Sequence, residues 1–142
     1  MIRVVLAVAL ASALLGTALP SAERADRERN TAIATAEIEA LADTATRLAA
    51  ENDAVGAGQT PAAATVTVDV PQPTLADGGR IEIRNDGLRW DPFDGRTRTV
   101  DPPVPLHVES PIVLTDRTRI RLSLVRIGGR TVVSLRRDDP SV

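Results

Sequence analysis

The chain has 142 residues, with 17 basic and 19 acidic side chains and a formal charge of -2; the strong positive field that draws proteins to nucleic acid is missing, and nucleic-acid binding is not expected. It contains no cysteine, one tryptophan and one phenylalanine, which excludes a disulfide framework and a thiolate metal site and leaves the core to Val, Ile, Leu and Ala. Every basic residue is arginine, and Ala, Thr, Val and Asp are abundant, a composition that points to a GC-rich genome and a salt-adapted, haloarchaeal type of organism.

An uncharged apolar run, Val4 to Leu19, follows Arg3 and ends at Pro20. It is apolar on every face, so a surface helix of a soluble domain does not account for it. Segment 1–20 therefore reads as a transmembrane anchor or an uncleaved signal segment, with Val4, Leu6, Val8, Leu10, Leu14, Leu15 and Leu19 as its lipid-facing residues. Counting Met1 and Ile2, the run is short but sufficient for a bilayer of about 30 Å if Arg3 snorkels. A cleaved secretory signal is the competing reading, although Pro20 sits awkwardly for cleavage after Ala18 or Ala22. Arg3 lies before the run and Arg24, Arg27 and Arg29 lie after it, but Glu23, Asp26 and Glu28 neutralise the second group. With its signal-like start, the chain is expected to be a single-pass cell-membrane protein with its head extracytoplasmic.

Segment 21–53 is an amphipathic helix. Ala34, Ile38, Leu41, Ala45 and Leu48 recur at steps of four and three, while Glu37, Glu39, Asp43, Arg47 and Glu51 fall off that seam. Two of the five seam positions are alanine, which suits close packing on the sheet of the chain's own head; a partner helix is the alternative occupant. The turns from Arg24 to Asn30 offer no apolar stripe and are expected to be solvated or to pack against identical stems. Asn52, Gly56 and Gly58 end the helix, and 54–64 reads as a linker.

The head, 65–142, alternates with period two. Val66, Val68 and Val70 form one face of a strand stopped by Pro71 and Pro73. Ile81 and Ile83, a turn at Asp86-Gly87, and Leu88 and Trp90 form a hairpin, in which that turn sets Ile83 opposite Trp90 and makes the tryptophan core. Asp91 to Pro105 reads as a long polar loop of the kind that carries recognition. Short strands follow at Leu106–Glu109 and Ile112–Leu114. A final hairpin turns at Gly128-Gly129, setting Leu124 opposite Val133, Leu122 opposite Leu135 and Ser123 opposite Ser134. The fold class is α+β, with an antiparallel sheet of about five to six strands packed by one face on the helix.

Chemistry is not expected. His107 is the single histidine, so no histidine metal set can be assembled, and in the alternating segment Leu106-His107-Val108 it points away from the apolar face, as a solvent-facing strand residue and not as the base of a Ser-His-Asp arrangement. Asp91, Asp94 and Asp101 share a loop but match no calcium-loop spacing. No phosphate-binding glycine loop or nucleophile elbow occurs. Catalytic, cofactor and metal residues are all absent from the reading.

The apolar helix running into Ala18-Leu19-Pro20-Ser21-Ala22, then an amphipathic helix and a β head, resembles type IV pilins and the pseudopilins of secretion systems. The resemblance makes Pro20 a stem kink and Val4 to Leu19 an assembly segment. It implies a membrane-anchored, non-catalytic accessory or minor component of a pilus or secretion-type assembly, with other pilin-like subunits and the membrane as partners. A small secreted or tethered β-rich binding module is the second expectation.

Overall fold

A computed structural model describes residues 2–138; the last four residues of the expected head lie outside the described residues. One helix, α1 (Ile2–Glu51), precedes eight strands: β1 (Ala63–Val68), β2 (Gly79–Arg84), β3 (Gly87–Pro92), β4 (Arg98–Val100), β5 (Leu106–His107), β6 (Ile112–Leu114), β7 (Thr118–Ile127) and β8 (Arg130–Arg137). The strands form two four-stranded sheets, ordered β1-β7-β8-β5 and β4-β3-β2-β6. All pairings are antiparallel except β5 with β8.

The α+β class holds, but a single sheet of five or six strands does not. Alternation within a strand reports which side is apolar; it says nothing about which neighbour pairs with that strand. The proline-bearing connections after β1 and before β5 let each long hairpin recruit its own short edge strands, so two sheets close over one core. Both sheets contribute to that core, with Ile81, Ile83, Leu88, Trp90 and Leu114 from one and Val68, Leu106, Ile120, Leu122, Leu124, Val133 and Leu135 from the other. The stretch Asp91 to Pro105 is likewise not one loop, because β4 interrupts it and pairs with β3.

The C-terminal hairpin has the expected register, with Leu124 opposite Val133, Leu122 opposite Leu135 and Ser123 opposite Ser134. Gly128 and Gly129 take φ of 57° and 78°, the conformation a tight type I′ turn requires. The β2–β3 hairpin is shifted. Its turn residues are Asn85 and Asp86, Arg84 pairs with Gly87, and Trp90 lies opposite Ile81 in place of Ile83. Neither turn residue has positive φ; Gly87 does, at 139°. A shift of two preserves the face, so Trp90 remains buried. Gly79 is required beneath it, since a Cβ there would collide with the indole at Cη2 and Cζ2.

The seam residues Ala34, Ile38, Leu41, Ala45 and Leu48 are all buried in this core, joined by Ala42. The occupant of the stripe is thus the chain's own head, and α1 touches β1, β3, β4, β7 and β8. Helix α1 ends at Glu51, where Asn52 Nδ2 donates to the Leu48 carbonyl at 3.0 Å and meets one of the helix's unpaired acceptors. Polar bonds stitch the sheets at their margins. Asn85 Oδ1 accepts the Val108 N–H at 2.7 Å, and the Arg137 guanidinium donates to the Val113 carbonyl.

Ile38→Ala is expected to lower the unfolding free energy by about 2–5 kcal/mol, while Ala36→Ser on the exposed side of the same helix changes it by less than about 0.5 kcal/mol. Urea unfolding of the full chain in detergent micelles measures both. Gly79→Ala should displace Trp90, read as a red shift of its emission.

Candidate functional site: an apolar stem and its collar

The first third of α1 leaves the head altogether. Val4, Leu6, Val8, Leu10, Leu14, Leu15 and Leu19 are 53% to 67% exposed, and the apolar stretch has none of its residues buried inside the protein. From Ile2 to Leu19 a helix extends about 27 Å at 1.5 Å per residue, close to the hydrocarbon thickness of a bilayer. The Ser12 hydroxyl donates to the Val8 carbonyl at 2.8 Å, so this polar group within the apolar stretch has an internal partner, as lipid surroundings demand. The helix continues through Pro20, whose missing N–H leaves the Gly16 carbonyl without its usual donor.

Where α1 enters the head, a collar of two loops grips it. One Asp26 carboxylate oxygen accepts the N–H groups of Thr74, Leu75 and Ala76 at 3.0, 2.9 and 3.0 Å. Those bonds, led by that from Ala76, hold the Asp26 carboxyl below its ordinary pKa, with help from the Arg29 charge and against some desolvation. One residue on, Arg27 Nη2 meets Asp94 Oδ2 at 2.9 Å, bringing in the β3–β4 loop. The two loops also hold each other, because Phe93 N–H donates to Gly78 O at 2.9 Å. Higher up, Glu37 Oε2 accepts the Asp69 N–H at 3.1 Å.

The expectation of solvated turns from Arg24 to Asn30 is therefore corrected on the side that meets the loops, while Arg24, Ala25, Glu28 and Arg29 are exposed as expected. Asn30 is 4% exposed and Asp26 and Arg27 are half-buried. The spacing held the signal: Asp26, Asn30, Ala34 and Ile38 are four residues apart, so the seam continues downward in polar residues. An apolar template does not register it, because what packs there is loop main chain that needs an acceptor.

A chain belongs to the family whose model spans it, and here the model of DUF7311, a domain of unknown function, matches residues 1–138. The chain is a DUF7311 protein. No curated protein and no solved structure matches it. The match takes in the apolar stem of this DUF7311 chain as well as its head.

Two of the loop acids are each held by an arginine. Asp91 pairs with Arg80 at 2.8 Å and accepts the Thr97 hydroxyl at 3.1 Å, while Asp94 is held by Arg27; arginine pairing separates the loop acids. His107 lies half-buried on β5. Among the described residues, no three His, Cys, Asp or Glu side chains gather to hold a metal ion. An open groove of about 760 Å³ runs along the outer side of α1, lined there by Thr31, Ala32, Thr35 and Ala36 and opposite by Arg96 and Arg98.

Asp26→Ala should raise the hydrogen-exchange rates of the Thr74, Leu75 and Ala76 amides several-fold at neutral pH and leave those of Leu122 and Val133 unchanged. Because the folded-state pKa of Asp26 is lowered, its stabilising contribution is complete above the ordinary carboxylate pKa of about 3.9 and disappears as pH falls through the lower, folded value. Protection factors of the same three amides should fall over that acidic window.

Proposed function

We propose that this protein is a membrane-anchored, non-catalytic subunit of pilin-like design, an accessory or minor component of a pilus or secretion-type assembly, with its head outside the membrane. The observation that supports this reading is one unbroken helix, Ile2–Glu51, whose first third is exposed and uncharged after Arg3 and whose second half is the spine of the head's core. An anchor joined to its head by a flexible tether could serve any surface protein; an anchor that is also core fixes the head's position and rotation relative to the bilayer, as an ordered assembly needs. The small side chains Ala32 and Ala36 on the uncovered side of α1 leave room for a neighbouring helix to approach. A secreted β-rich module, its apolar segment acting as an export signal, is the second reading; it rests on the position of that segment near the N-terminus.

Fractionation with intact-mass measurement separates the two. The full-length mass in a carbonate-resistant membrane fraction is expected, and a soluble product beginning near Leu19 or Glu23 would establish the secreted module instead. Because the chain lacks cysteine, Ala9→Cys supplies a unique thiol. Coupled to a photo-activatable crosslinker in native membranes, it should give a crosslinked species, with a second copy or with another pilin-like subunit, and a monomer after irradiation would remove the assembly role.

A further inference from the structure

We propose that the head docks on the membrane surface through Leu75 and Phe93, whose side chains enter the headgroup region of the bilayer crossed by the stem. The inference rests on the membrane-anchored reading above and deepens it by assigning a second lipid contact. Outside the stem, four large hydrophobic residues stand exposed among the described residues: Leu75, Phe93, Val113 and Ile127. Leu75 and Phe93 are 54% and 65% exposed, and they occupy the two collar loops.

The collar sets their height. Leu75 is tied through its own N–H to Asp26, and Phe93 adjoins Asp94, the partner of Arg27. Asp26 lies seven residues past Leu19, about 10 Å along a helix. The headgroup layer is about 5–7 Å deep on each side of the hydrocarbon, so apolar tips held at this level are within side-chain reach of it. The two loops that carry the tips adjoin, since a Cβ on Gly78 would lie 3.7 Å from the Phe93 ring.

Main-chain chemistry agrees. Entering an interface poor in free water is costly for unpaired N–H groups. At these tips Thr74, Leu75 and Ala76 donate to Asp26 and Phe93 donates to Gly78. These four donors are met internally, and Leu75 and Phe93 are the large apolar side chains left outward, beside the exposed Thr74, Asp77 and Asp94. Charge does not drive the contact, because Arg24, Arg27 and Arg29 at the stem's exit alternate with Glu23, Asp26 and Glu28.

The absence of native cysteine permits a direct test. Single Leu75→Cys, Phe93→Cys, Val8→Cys and Ile127→Cys variants of the full chain, each labelled with an environment-sensitive fluorophore, are placed one chain per nanodisc of phosphatidylcholine. Lipids spin-labelled at the headgroup or in the acyl chain serve as quenchers. Headgroup quenching several-fold stronger at positions 75 and 93 than at 127, with acyl-chain quenching at position 8, is the expected result. Quenching at position 8 without quenching at 75 and 93 would overturn the docking and leave the anchor standing. Absence of acyl-chain quenching at position 8 would overturn the anchor and the docking with it. Protection of 75 and 93 that arises only when two chains share a disc would make a second copy the occupant, and protection that requires phosphatidylglycerol would make the contact electrostatic; either overturns the proposal.

Discussion

Everything in this protein follows from the seam of α1. The 91 residues that follow the helix have no disulfide or thiolate metal site to brace them and one buried aromatic side chain, Trp90, to fill them. A unit of that size lies near the low end of what folds alone. Helix α1 supplies the missing layer by lying across both sheets, so Ile38 and Leu41 pack in the same core as Ile81, Leu122 and Leu124. The head cannot be separated from the helix, and the helix continues without interruption into the stem.

The collar completes this arrangement by a different kind of force. Above Asn30 the contact is aliphatic packing, which is indifferent to direction, flanked by the single Glu37–Asp69 hydrogen bond. Below it, Asp26 gathers three amides onto one oxygen and Arg27 holds a carboxylate, interactions that are directional and fix the loops in angle as well as distance. Packing therefore locates the head along the helix, and hydrogen bonding orients its lower margin.

How much of this is legible in the chain depends on whether a residue announces its partner. Leu122, Ser123 and Leu124 match Leu135, Ser134 and Val133 in character, and Gly128-Gly129 supplies the turn, so β7–β8 can be read to the residue. Asp86-Gly87 misleads by one position because Asn85 and Asp86 can turn without positive φ, leaving Gly87 to begin β3. The division into two sheets is invisible, since β4, β5 and β6 are three residues or shorter and owe their existence to neighbours. The apolar stem is plain in the letters. The Asp26 clamp is not, because main-chain amides leave no mark on residue identity.

The unbroken passage from stem to head has a mechanical consequence. Tension applied along α1 runs parallel to the seam, so Ala34, Ile38, Leu41, Ala45 and Leu48 resist it together in shear. No single strand is presented at an end from which it could be peeled. A chain built this way bears load as a keyed shaft does, with the Asp26 and Arg27 contacts as the key that meets the load first.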